Sequence, residues 1–212
     1  MFKKKPFFIV FEGVEGCGKY YQSKRLKKNL KKKGINSLLT REPGGTKNTE
    51  LIRTLILKDY FNTKTEEKFN KYTDTLLYLA ARNEHVTNII KPALNEKKIV
   101  ICDRFTDSTL AYQVYGKKVN KSFIDHIHKF IIKGIKPNIT FILKVSSKSS
   151  KLRLKKRKIK NRYDKFSQSF YTRAQKSFLK IAKNKKNYFV LNSSSNNNDL
   201  EKKIFEIVYK RL

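Results

Sequence analysis

Several things are scarce in this sequence, and each shortage excludes a class of protein. Cysteine comes first: Cys17 and Cys102 are the only two in 212 residues. Two are too few for a disulfide framework and too far apart for a metal cluster, so both are expected as small buried or half-buried side chains. No apolar run approaches the roughly 20 residues that a membrane helix needs. Nor is a signal peptide expected, since Lys3-Lys4-Lys5 runs through Pro6 into a strand pattern with no small-residue cleavage site. A cytoplasmic protein without a membrane partner is expected. No internal repeat is found.

Acidic residues are the other shortage. Seventeen Asp and Glu stand against 50 Lys and Arg, a formal net charge of +33. Such a balance invites a nucleic-acid reading through phosphate neutralisation. Yet the lysines are spread along nearly every segment beside many Asn, Ile, Phe and Tyr, the set that A+T-rich codons encode. Compositional drift accounts for that spread, as does a selected electrostatic role, and a protein with polyanionic substrates tolerates either. No stacking platform of interleaved aromatic and basic residues is evident, and no reading motif, so a nucleic-acid partner is not expected.

What is there begins at residues 7–21. Phe7 to Phe11 reads as a buried strand that breaks at Gly13 into a glycine-spaced turn, and a helical pattern opens near Lys19. That is the layout of a P-loop. Gly13-x4-Gly18-Lys19 fits the first seven places of G-x-x-x-x-G-K-[ST]. Glycines let backbone N–H groups turn inward around a phosphate, the helix amino end adds partial positive charge, and Lys19 can reach the β/γ oxygens. The eighth place departs: Tyr20 stands where a Ser or Thr hydroxyl would ligate Mg²⁺.

At this length one core is expected, burying roughly 70 % of the unfolded surface, within a single domain over residues 1–212. Leu26 and Leu30 mark an amphipathic helix closed by Gly34, and Ile35 to Thr40 gives a second strand. It runs into Arg41-Glu42-Pro43-Gly44-Gly45-Thr46, which brings an arginine to a strand's carboxyl end, where ligands sit in open α/β sheets. A helix over 47–58 has Leu51, Ile52, Leu55 and Ile56 as its apolar face. A longer one runs from Tyr72 to Asn95, with a kink or register shift implied by Pro92. A third strand, from Lys98, ends in Asp103-Arg104. After a P-loop that pair reads as an acid that holds Mg²⁺ or takes a proton, beside a phosphate clamp; a surface ion pair is the plainer account. Helices follow at 106–115 and 121–133, then a strand from Ile139 to Val145. Residues 148–165 are dense in Arg and Lys, read either as a solvated helix or as a lid closing over phosphates. A helix over 166–184, a strand from Tyr188 to Leu191 and a terminal helix from Asp199 complete the chain. Alternation throughout predicts an α/β fold of P-loop type, with a five-stranded parallel sheet covered by helices on both faces.

These residues together resemble one family, thymidylate kinase. The likeness covers essentially the whole chain. It rests on Phe11-Glu12-Gly13-Val14-Glu15-Gly16-Cys17-Gly18-Lys19, Thr40-Arg41-Glu42-Pro43-Gly44-Gly45-Thr46, Leu79-Ala80-Ala81-Arg82, and Asp103-Arg104-Phe105 followed by Ser108-Thr109 and Ala111-Tyr112-Gln113. The resemblance implies transfer of the ATP γ-phosphoryl group to dTMP, with Mg²⁺ as cofactor and a homodimer packed through helices. It implies that Gly13, Val14, Glu15, Gly16, Cys17, Gly18, Lys19 and Tyr20 hold ATP. Glu15 would meet the deoxyribose 3′-hydroxyl, and Arg41 and Arg104 would clamp the acceptor phosphate. Tyr78 would stack on thymine, Arg82 would hydrogen-bond the base, and Ser108, Thr109, Tyr112 and Gln113 would complete the wall, with Tyr112 excluding a ribose 2′-hydroxyl. Asp103 would hold the metal. The variable places of the P-loop, Val14, Glu15, Gly16 and Cys17, hold no basic residue, so the chain resembles the bacterial subgroup in which lid arginines, here Arg153, Arg157 and Arg162, meet the transferring phosphoryl. Catalysis would thus rest on Lys19, Asp103, Arg104 and those three.

Two alternatives stay open beside the dTMP kinase reading. One is another deoxynucleotide or deoxynucleoside kinase of the same fold. The other is a nucleotide-binding remnant without turnover, which Tyr20 makes conceivable.

Overall fold

A computed structural model describes residues 5–57, 69–156, 162–194 and 197–212. Five short runs form strands β1 (Phe7–Glu12), β2 (Ser37–Arg41), β3 (Ile99–Asp103), β4 (Ile139–Lys144) and β5 (Tyr188–Asn192). All pair in parallel in the order β2-β3-β1-β4-β5. Central strands of such a sheet are covered on both faces, which is why β1 and β3 read as unbroken apolar runs. Alternation along β1 still sorts the two faces. Ile9 and Phe11 enter the larger core with Leu26, Phe141, Phe178 and Ile204, whereas Phe8 and Val10 join Val86, Ile90 and Phe105 on the other side.

The helices are α1 (Lys19–Lys32), α2 (Lys47–Leu57), α3 (Lys71–His85), α4 (Lys91–Asn95), α5 (Thr106–Thr109), α6 (Lys121–Ile132), α7 (Ser147–Lys155), α8 (Gln168–Ala182) and α9 (Asn197–Tyr209). Between α3 and α4 the chain widens into a π-helical turn over Val86–Ile90. The expected register shift is therefore present, just before Pro92, whose ring cannot follow a regular turn and which donates no N–H. A second π turn, Leu110–Gly116, extends α5 and carries Tyr112 and Gln113. Helix α2 departs from expectation. Ile56 is buried, but Leu51 is 69 % exposed and Leu55 40 %. Its inward side, packed on α3, carries Thr49 and Ile56, so half of the anticipated apolar face looks outward.

This topology fixes where a ligand can sit. Register pairs Arg41 with Asp103 and Asp103 with Phe11, so the carboxyl ends of β2, β3 and β1 finish level. The β3-to-β4 connection passes over β1, leaving the crevice of a doubly wound sheet at that edge.

Candidate active site

The loop after β1 is built by tight packing. Gly13 has φ +138°, and a Cβ there would stand 2.6 Å from the Leu143 carbonyl oxygen. Val14 and Cys17 are buried in the core beneath the loop, and burial pushes the Cys17 thiol above its ordinary pKa. It stays a neutral packing group. Lys19 folds back along the loop, its Nζ donating to the carbonyls of Gly13 at 2.9 Å and Val14 at 3.0 Å. Glu15, Gly16, Gly18, Lys19 and Tyr20 then line one end of a cavity of about 360 Å³.

Its other end is walled by α3 and the α5 extension. Asp74, Tyr78 and Arg82 recur every four residues and so share one face of α3. Tyr78 and Arg82 line the cavity, and Asp74 is buried one turn earlier. Arg82 is 3 % exposed. Its Nε donates to Glu42 Oε2 at 2.7 Å, Nη1 to Thr109 Oγ1 at 2.6 Å, and Nη2 to the Phe105 carbonyl at 2.9 Å. Nη1 also meets His128 Nε2 at 2.8 Å. A guanidinium only donates, so His128 Nε2 accepts, and burial beside Arg82 lowers that histidine's pKa to about 3. Glu42 Oε1 receives His85 Nδ1 at 3.1 Å, so Glu42 ties the loop after β2 to α3 twice.

Arg104 bridges the two ends. It adopts φ +73°, rare for a residue with a side chain, directly after β3. Its Nη2 donates to Glu15 Oε1 at 2.7 Å, and Nη1 donates to Ser108 Oγ at 2.9 Å and to the Gly13 carbonyl at 3.0 Å. Tyr112 Oη donates to the second Glu15 oxygen at 2.6 Å. Gln113 is buried on the cavity wall, and its Nε2 has no hydrogen-bond partner among the described residues. Buried amide donors are rarely left so, which marks it as a group for a ligand to meet.

Asp103 lines the cavity where β3 ends, and its Oδ1 is buried without a hydrogen-bond partner among the described residues. Mg²⁺ is commonly held by one or two carboxylates together with water and phosphate oxygens, so one unpartnered carboxylate oxygen on the cavity wall fits that ion. Tyr20 is 54 % exposed at the mouth, with Lys24 Nζ 4.5 Å from its ring centroid. Arg41 reaches the cavity while paired with Glu50 at 3.0 Å. Arg153 on α7 lines it too, donating to the Gly16 carbonyl at 3.2 Å and the Ser193 carbonyl at 2.7 Å. Arg162 instead pairs with Asp74, and Arg157 falls outside the described residues.

Comparison with known proteins decides the family. The sequence pattern of the family described as Thymidylate kinase matches residues 11–204. The chain belongs to the thymidylate kinase family. A thymidylate kinase of Ehrlichia chaffeensis is 42 % identical over 178 residues, covering 83 % of this chain and 82 % of that one. One of Geotalea daltonii is 38 % identical over 199 residues, 91 % of each chain. In three dimensions, the crystal structure of a thymidylate kinase from Ehrlichia chaffeensis superposes with a TM-score of 0.76 at 34 % identity, covering 96 % of this chain and 99 % of that one.

Within this thymidylate kinase, sequence reasoning missed three cavity residues with polar side chains, Arg53, Glu42 and Tyr163. Arg53 on α2 lines the cavity, donating Nη1 to the Pro43 carbonyl at 2.6 Å. Burial and then the neighbouring Arg41 charge hold its pKa below the ordinary arginine value. Its place one turn after Glu50, on the side of α2 opposite Leu51, was a usable signal. Glu42 was quoted only as part of a motif, and its pairing with Arg82 has no local signature. Tyr163 lies near the end of the basic segment 148–165 and meets Tyr78 by its hydroxyl.

Proposed function

We propose that this thymidylate kinase moves the γ-phosphoryl group of ATP onto dTMP, with the donor at the P-loop end of the cavity and the acceptor at the α3 end. The observation that carries the reading is Arg104, which touches the P-loop through Gly13 and Glu15 and the acceptor wall through Ser108. Inward N–H groups of the loop and the α1 amino end bind the donor phosphates, and Lys19 swings from its loop carbonyls to them. Arg41, Arg53 and Arg104 hold the acceptor phosphate. Tyr78 stacks on the base, and Gln113 donates its free N–H to a base carbonyl. Arg82 has its donors engaged by Glu42, Thr109, His128 and Phe105, so its work is to fix that wall, with one hydrogen bond shared to the base edge. Tyr112 and Glu15 close the sugar side, where a 2′-hydroxyl would collide.

Phosphoryl transfer asks the protein for little covalent chemistry and much positioning with charge stabilisation. Arg153 supplies positive charge at the transferring group. Asp103 would hold Mg²⁺, which would neutralise phosphate charge when bound. A hydroxyl ligand to that ion is missing at Tyr20. Turnover is therefore expected but slowed, and Tyr20→Thr should raise it by on the order of 10²-fold at limiting Mg²⁺. Steady-state ADP release with ATP, Mg²⁺ and dTMP measures both; an unchanged rate and Mg²⁺ dependence in Tyr20→Thr would discard the metal argument. We place the enzyme in the cytoplasm. A homodimer is supported by outward apolar residues on three successively packed helices, Leu51 and Leu55 on α2, Leu76 on α3 and Phe130 on α6.

A further inference from the structure

We propose that Tyr163 is a positioning residue for the acceptor base, acting through its hydroxyl contact with Tyr78. This rests on the reading that Tyr78 is the ring on which the base stacks. Asp74 is 1 % exposed, and its two oxygens are taken by two cations from different segments. Lys117, just past the turn bearing Tyr112 and Gln113, donates Nζ to Oδ2 at 2.6 Å. Arg162 pairs with Oδ1. One carboxylate thus binds together α3, the α5 extension and the turn over Arg162–Lys165.

Tyr163, next to Arg162, is held from three sides. Tyr171 on α8 donates its hydroxyl to the Tyr163 carbonyl. The Tyr163 ring packs edge-on to Tyr112 at 5.6 Å and to Phe166 at 5.0 Å between centroids. The Arg162 guanidinium carbon lies 5.3 Å from the ring centroid. With its backbone and ring fixed, its hydroxyl meets that of Tyr78, and both rings line the cavity. The Tyr78 hydroxyl is buried; burial, then the Tyr163 neighbour, raises its pKa well above the ordinary value, so it is a neutral hydrogen-bonding group. A phenylalanine at position 78 would supply the same stacking face without this tether. The tyrosine pair pins the far end of the stacking ring before the base arrives, and so removes part of the ordering cost of binding.

The test is a double-mutant cycle on KM for dTMP. Tyr78→Phe and Tyr163→Phe each keep the ring and lose one hydroxyl. Each should raise KM for dTMP by about 5-fold while leaving KM for ATP unchanged, an effect of the size expected for one side chain left to order on binding. The double variant should be no worse than the worse single, because both lose the same contact. Unchanged KM in both singles, multiplying effects in the double, or equal rises in both KM values would each overturn the proposal. Tyr78→Ala separates the two layers of the argument. If it leaves KM for dTMP unchanged, the stacking role itself fails; if it raises KM while the phenylalanine variants do not, only the tether fails.

Discussion

At the residue scale, the buried ionisable groups around the cavity set an unusual dependence of stability on pH. His128 accepts from Arg82, and its pKa falls to about 3 from the 6.5 of a free histidine. Between those values the unfolded chain binds the extra proton, so stability is lost as pH falls through that window. Glu12 has the opposite sign. It is fully buried, and burial followed by the nearby Asp107 charge raises its pKa from 4.5 to about 8. Between those values the folded protein holds the extra proton, so this contribution is lost as pH rises. The two slopes oppose each other from 4.5 to 6.5 and stand alone on either side. Thermal melts across pH should therefore show His128→Asn flattening the acid limb and Glu12→Gln flattening the limb toward pH 8. Parallel curves for variants and parent would remove these residues from the account. Neither effect was visible in the sequence, because Arg82, His128, Glu42 and Thr109 come from four separate segments and only folding brings them together.

At the scale of elements, α7 joins the basic segment to the donor loop. Ser146 caps it, Ser150 donates Oγ to the Glu15 carbonyl at 2.9 Å, and Arg153 reaches Gly16. Arg153→Ala should lower kcat by about 10²-fold, the usual cost of deleting one preorganised charge at a transferring group. Its melting temperature should stay near the parent's, since the lost contacts lie at the surface of the site; a fall in stability with kcat intact would make Arg153 a structural residue. Strands and helices were legible in the sequence because each carries its own apolar period and its own breaker, Gly13, Gly34 and Pro43 among them. The cavity wall was partly legible too, since Tyr78 and Arg82 share a helix face by spacing alone. The π turn bearing Tyr112 and Gln113 was not, nor was the outward face of α2, because both depend on what packs alongside. Arg162 illustrates the same limit: nothing local distinguishes an arginine aimed at phosphate from one paired with Asp74, 88 residues earlier in the chain but adjacent in space.

At the scale of the whole molecule, the net charge of +33 has no focus in the sequence, and the cavity gathers only part of it: Lys19 and five arginines line the site beside Glu15, Glu42 and Asp103. That local excess suits two phosphorylated substrates. Among the described residues no helix is long and apolar enough to cross a membrane. In the proposed homodimer the outward apolar residues of α2, α3 and α6 would face a second copy, and Leu51→Lys should shift sedimentation from dimer to monomer mass; a parent that already sediments as a monomer at micromolar concentration would end that proposal.

In the proposed reaction, arginines at neighbouring strand and helix ends present a second phosphate in line with the donor held by the P-loop. Chromatography of products from ATP and Mg²⁺ with either dTMP or thymidine tests it most directly. The account predicts dTDP from dTMP and no product above background from thymidine, which offers the arginines nothing to clamp. Equal phosphorylation of thymidine, or no dTDP from dTMP at saturating ATP, would contradict it.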